Sequence, residues 1–273
     1  MKIHRLSVVR PNRGTGEWGN SVSLVGVEKA GSTPRGPATV IYVGIDDTDT
    51  LETAGTNQLA RLIVERLAGT LRCVSIVRHQ LFFDSRVPYT SKNGSASIRF
   101  ERQQAVSLGE VIASIRHIMQ EWYVEGSDPG LVVTEQVPAA VTDYARRCKQ
   151  ELIEASESRA LADRYGIHLE GLGGTEGGVI GALAAVGLIA TESDGRVVQW
   201  RTWPDDLTGQ VPIEALRSRN VLVRRRESQA DVIHGLVELG KKLRPNLVEG
   251  DCVLWVAERP LPEANCWQAL REL

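Results

Sequence analysis

Three carboxylates in four residues constrain this chain more than anything else in it. Asp46, Asp47 and Asp49 stand together with Thr48 and Thr50. Ahead of them runs Val40-Ile41-Tyr42-Val43, a β-branched stretch that reads as a buried strand, and Gly44 lets the chain leave it. Behind them Thr56 opens a helix with Leu59, Ile63 and Leu67 on one face. Like charges packed this tightly repel unless a cation sits among them. A hard divalent ion takes oxygen ligands, and the free N–H groups of a first helical turn attract an anion. Strand, acidic turn and helix start together describe a metal and phosphate site in an α/β protein. Asp and Thr are also ordinary turn residues and Thr56 an ordinary N-cap, so the third carboxylate is what tips the reading.

The length of 273 residues allows one large domain or two compact ones. Hydrophobic residues make up 42% and charged residues 24%, as in globular proteins. No apolar run is long enough to cross a bilayer, and no signal-peptide core follows Lys2 and Arg5, so no membrane partner and a cytoplasmic location are expected. A formal net charge of −2 argues against strong non-specific binding to nucleic acid and leaves room for a local basic patch. Cys73, Cys148, Cys252 and Cys266 form no C-x-x-C pair and have no histidine at zinc spacing, so buried thiols are expected rather than zinc or disulfides.

Residues 1–38 are broken by glycine and proline and read as a poorly ordered extension, with one short strand over Ser21–Val27. Strands follow at Cys73–Val77, Ser95–Phe100 and Leu131–Val133, with a helix over Leu108–Val124. Lys92-Asn93-Gly94 is a tight turn whose lysine could meet a phosphate, though an exposed hairpin lysine explains it as well. A first domain over 39–137 and a second over 138–273 are expected. The second opens with a helix from Ala139 to about Ser156, continuing towards Arg164. Then comes a glycine-rich loop, Gly171 to Gly178, ahead of the helix Val179–Ile189. Gly174, Gly177 and Gly178 could cradle phosphate with backbone N–H groups, but the loop lacks P-loop spacing, and a flexible turn before a packed helix is an equal reading. A strand over Gly195–Trp203, a helix over Ser228–Leu243 and a strand over Cys252–Ala257 complete the pattern. Arg217, Arg219, Arg224, Arg225 and Arg226 surround Val221–Val223, where they could meet a polyanion or simply guard a strand edge. No nucleophile–His–Asp arrangement is visible.

The stretch VGIDDTDTLETAGTNQLA resembles the N-terminal signature of the archaeal agmatidine synthetases, which modify a cytidine of isoleucine tRNA. VPYTSKNGSASIRF, GGTEGGVIGALAAVG and LRPNLVEGDCVLWV are similar to three further blocks of that family in the same order, so the resemblance spans about residues 40 to 257. It implies an α/β (α+β) protein with a kinase-like domain followed by a ferredoxin-like domain. It implies ATP and Mg²⁺ as cofactors, phosphorylation of a cytosine carbonyl oxygen, and displacement of phosphate by an amine co-substrate. Asp46, Asp47 and Asp49 fall on the family's acidic metal-binding cluster, with Thr48 among them. Thr56 falls on the threonine that the family phosphorylates. Lys92, Asn93 and Gly94 fall on its basic turn, and Gly177 and Gly178 on the start of its glycine-rich helix. The chain departs from the family at Gly55-Thr56-Asn57, where the family has Cys-Thr-Thr, and it carries nothing that reads as the family's OB-fold and zinc ribbon. A tRNA or a small molecule thus stands as acceptor. A phosphatase of the haloacid-dehalogenase kind and a non-catalytic nucleotide-binding regulator are the alternatives.

Overall fold

The computed structural model describes residues 39–50, 52–87, 93–201, 207–259 and 266–271. Lys92, Trp203 and the whole of 1–38, with the strand expected at Ser21–Val27, lie outside them. The chain is a mixed α/β protein on one large, mostly antiparallel sheet.

The side chains of β1 (Val40–Asp46) alternate between the two faces of that sheet. Ile41, Val43 and Ile45 face one helical layer, whose core they share with Leu59 and Ile63 of α1 (Thr56–Leu67) and Ile115 of α2 (Leu108–Trp122). A capping box starts α2, with the Ser107 side chain on the Glu110 N–H and the Glu110 carboxylate on the Ser107 N–H at 2.8 Å. β2 (Leu71–Arg78), β3 (Ala96–Arg102) and β4 (Gly130–Thr134) complete the order β4-β1-β3-β2, every neighbour antiparallel. This is the split βαββαβ arrangement of a ferredoxin-like unit. It lies over residues 40–134, on the N-terminal side of where such a unit is expected.

Tyr42, Gly44 and Asp46 point to the opposite face. There α5 (Val179–Ile189) crosses β1 and β4, apolar on every side and buried along its length. Its outer side is covered by α3 (Ala139–Arg147) and α4 (Ala155–Tyr165). The approach of α5 to the sheet is close enough that a Cβ on Gly44 would fall on the Ala182 carbonyl oxygen. β5 (His168–Gly171) pairs with β4 at one edge. At the other, β6 (Arg196–Trp200) pairs with β2 and leads into β7 (Gln210–Pro212), β8 (Val221–Arg225), β9 (Leu236–Glu238), β10 (Asn246–Val248), β11 (Asp251–Glu258) and β12 (Cys266–Ala269). These strands, with α6 (Ile213–Arg217), enclose a second core around Val197, Leu216, Val237 and Leu254.

Two expected helices are corrected. Ala139 to Ser156 is not continuous: the Cys148 carbonyl is taken by the Phe82 N–H at 2.9 Å, and a connector from Lys149 to Glu154 separates α3 from α4. Ser228 to Leu243 is not helical. Gly235 and Gly240 hold positive φ, and Val237 and Leu239 bury with the period of a strand, β9, parallel to β12. In the arginine cluster near β8, Arg224 pairs with Asp231 at 2.9 Å, while Arg225 pairs with Glu258 at 3.5 Å and stacks on Trp267.

Candidate functional site

The carboxyl end of β1 delivers Asp46 towards α5. The next residue, Asp47, takes a left-handed conformation (φ 49°), which turns the chain sharply and which aspartate tolerates better than most residues. The Asp47 carbonyl accepts the Asp128 N–H at 3.1 Å, tying the turn to the loop ahead of β4. Thr48 is buried. Its hydroxyl donates to Thr56 Oγ1 at 3.2 Å, and the Thr56 hydroxyl donates to Asp49 Oδ1 at 3.1 Å. Gly55, not Thr56, is the N-cap of α1. Thr48 is therefore a strut beneath the turn rather than part of its surface.

The glycine loop comes up against this turn because Asp128 clamps it. Asp128 Oδ1 accepts the Thr175 N–H at 2.5 Å, Oδ2 accepts the Thr175 hydroxyl, and the Asp128 carbonyl accepts the Gly178 N–H at 3.0 Å. Gly174 holds φ 58°, and a Cβ there would strike the Asp128 carboxylate, so its part is to let the clamp form. Gly177 and Gly178 line the cavity. Since the Gly178 N–H is committed to Asp128 and the Ile180 N–H to the Gly177 carbonyl, they contribute closeness more than free donors. One helical turn on, a Cβ at Gly181 would overlap the Asp46 carboxylate.

Together these parts enclose a cavity of about 420 Å³. Asp46, Asp47, Asp49, Thr56, Asp128, Thr175, Gly177 and Gly178 form its polar side, with Arg78, Asn93 and Gly94 closing it. Asn93 fixes the facing loop by donating from Nδ2 to the Phe82 carbonyl at 2.8 Å, and Gly94 leaves the room that the Arg78 guanidinium occupies. Arg86 also reaches the wall, held by Asp84 at 2.7 and 3.0 Å. Leu81, Phe82, Val87, Cys148, Leu152, Ile153 and Ile180 add apolar surface to the lining, with Glu151 among them. A cavity lined by apolar side chains and converging polar groups suits a ligand that carries both apolar and charged parts.

The acidic side is electrostatically unsettled. Burial, then the charge of Asp47, pushes Asp46 up to about 8. Burial, then Asp128 and Asp49, pushes Asp47 up to about 6. Asp49 is also raised, burial outweighing the hydrogen bonds from Thr56. Arg78, itself depressed by burial, is the cation that opposes Asp46 and Asp49. Among the described residues no three His, Cys, Asp or Glu side chains converge into a complete metal cluster, so the carboxylates offer oxygen donors without a closed ligand shell.

The structure thus gathers Asp46, Asp47, Asp49, Thr56, Asn93, Gly94, Gly177 and Gly178 around one cavity and leaves Thr48 and Gly174 as supports behind it. Asp128, Thr175, Arg78 and Gly181 were not foreseen. Asp128 precedes Pro129-Gly130 and reads as a plain turn residue. What places it is sheet register, Asp46 opposite Gly130, and no sequence spacing displays that.

No family model matches the chain. Over 152 residues, 54% of its length, it is 32% identical to a protein of Archaeoglobus fulgidus. That relative is TiaS, a 2-agmatinylcytidine synthetase named for an isoleucine tRNA. The match takes in 35% of TiaS, so this chain spans about a third of the length of the relative. Among solved structures, a complex of TiaS with that tRNA and ATP is 26% identical at a TM-score of 0.48, covering 55% of this chain and 36% of the other. A tRNA fluorescent labeling enzyme is 27% identical at 0.48, covering 54% and 36%. The resemblance to the agmatidine synthetases that the sequence motifs carry therefore holds over about half of the chain.

Proposed function

We propose that this chain is an ATP-dependent enzyme of ligase type that acts on a cytidine of RNA, as the name of its relative TiaS describes. The observation that carries this reading is the meeting of the Asp46–Asp49 turn with the Gly177–Gly181 segment in one cavity, whose lining combines acidic and apolar side chains. The apolar residues take the adenine, and the acidic residues face the triphosphate.

A triphosphate beside Asp46, Asp47, Asp49 and Asp128 needs a cation, and their oxygen donors fit Mg²⁺. The carboxylates are hard oxygen donors whose proton affinity is raised first by burial and then by one another's charge, which a cation would offset. Mg²⁺ ordinarily takes one or two protein carboxylates and completes its shell with phosphate and water. When bound, it would neutralise phosphate charge. Asp47 and Asp49 would hold it and Asp46 would support them. Arg78 would offset charge gathering on the phosphoryl oxygens. Thr56 sits with its hydroxyl proton directed at Asp49, so that Asp49 would take up this proton as the Thr56 oxygen bonds the γ-phosphorus and ADP leaves. Catalysis then comes chiefly from positioning and charge. An amine is the co-substrate.

The test follows label from γ-labelled ATP, with Mg²⁺ and a cytidine-containing RNA, first without and then with an amine mixture. Wild type should pass label on without amine and release it as inorganic phosphate once amine is added, and Asp47→Asn, which keeps the turn, should lose on the order of 10²-fold, the scale of a misplaced reacting group. Neither nucleotide binding nor label transfer by wild type would refute the proposal.

A further inference from the structure

A second cleft, of about 250 Å³, lies on the other side of the α1 N-terminus and shares Gly55 and Asn57 with the first cavity. Its wall is cationic: Arg61 from α1, Arg196 from β6, and Lys242 and Arg244 from the segment ahead of β10. Arg61 is anchored, its Nη2 donating to the Val198 carbonyl at 2.8 Å. Arg196, Lys242 and Arg244 have no carboxylate partner among the described residues. In the β2–β6 ladder Arg196 stands directly opposite Arg78 of the first cavity. Like charges in that relation destabilise a sheet. Burial, then the nearby charges of Arg244 and Arg78, pulls Arg196 down to about 10. Between the two cavities, Asn57 Oδ1 is buried without a hydrogen-bond partner.

Three uncompensated cations from β6 and the segment ahead of β10 are a fold's expense for binding an anion. Their distribution along a cleft exceeds what one phosphate needs, and the cleft begins where the nucleotide cavity ends. We propose that Arg196, Lys242 and Arg244 bind the phosphodiester backbone of a single-stranded RNA acceptor and feed its reacting base past Asn57 into the acidic cavity. This rests on the reading of the first cavity given above.

The experiment is fluorescence anisotropy of a labelled, cytidine-containing single-stranded RNA against the full chain over a range of salt, with ATP binding by wild type measured in parallel. Each single-strand phosphate contact contributes about 0.7 to the log–log salt slope, so Arg196→Gln with Arg244→Gln should flatten it by about 1.4 and weaken binding at least about tenfold at low salt. Lys242→Glu, at an exposed position, should weaken RNA binding in the same direction, and it keeps the test valid where the double variant does not fold. No RNA binding by wild type, or an unchanged slope in the folded variants while wild type still binds ATP, overturns this inference and leaves the nucleotide site standing. Displacement of the RNA by inorganic phosphate at equal phosphate concentration also overturns it, assigning the cleft to free phosphate. Absence of ATP binding by wild type defeats the nucleotide reading itself.

Discussion

Asp46 is held where a carboxylate is reluctant to carry charge. Burial and its acidic neighbours lift it to about 8, and Asp47 to about 6, from an ordinary value of 3.8. Between those limits the folded chain keeps protons that the unfolded chain has released. Folding stability therefore falls as pH rises from about 4 to about 8 and levels off above. In metal-free buffer the melting temperature of wild type should decline across that window. Asp46→Asn, which cannot ionise, should decline less and be the more stable protein at pH 8, by on the order of 1 kcal/mol. Equal slopes for the two proteins would remove the electrostatic argument. Because a cation competes with those protons, Mg²⁺ with ATP should raise the melting temperature more at pH 8 than at pH 5. Asp47 adds a backbone constraint at φ 49°, which asparagine also tolerates, so Asp47→Asn tests charge without disturbing the turn.

At the scale of elements, the site depends on α5 lying unusually close to β1. Gly44 permits this, since any Cβ there would meet the Ala182 carbonyl oxygen. Gly44→Ala should cost at least about 1–3 kcal/mol, as overpacking does, read as a lower urea midpoint with unchanged slope. An unaltered midpoint would show that the helix is not seated as described. The elements that frame the site were legible: the β-branched run before the carboxylates, the face of α1, and the small-residue run that became α5. Segments whose form is set by distant partners were not. Ser228–Leu243 has enough apolar residues for a helix, but β12 and β7 recruit part of it as β9. The break after Cys148 depends on Phe82, far away in sequence. In the site itself the acidic turn could be read directly, whereas Asp128 and Thr175 arrive through the β1–β4 register and the clamp. Thr48 and Gly174 carry the right residue types for a site and are spent on supporting it.

Taken as a whole, residues 38–273 join three cores through one sheet, with β2 and β6 as the seam between two of them. The seam is also where the charges part. On one side of α1 is a cavity ringed by aspartates, on the other a cleft ringed by arginines, and a net charge of −2 conceals both. The arginine cluster that stood out in the sequence, near β8, contains residues committed to Asp231, Glu258 and Trp267, whereas Arg196 and Arg244, scattered in sequence, converge in space. A folded sheet thus sets an aspartate-lined cavity and an arginine-lined cleft at one helix start. The most direct measurement of the central claim is calorimetric titration of ATP with Mg²⁺ into wild type, Asp47→Asn and Asp49→Asn. The account expects saturable binding by wild type that depends on Mg²⁺ and weakens at least about tenfold in each variant, a loss of about 1.4 kcal/mol; binding of equal strength in all three proteins, or none in wild type, would contradict it.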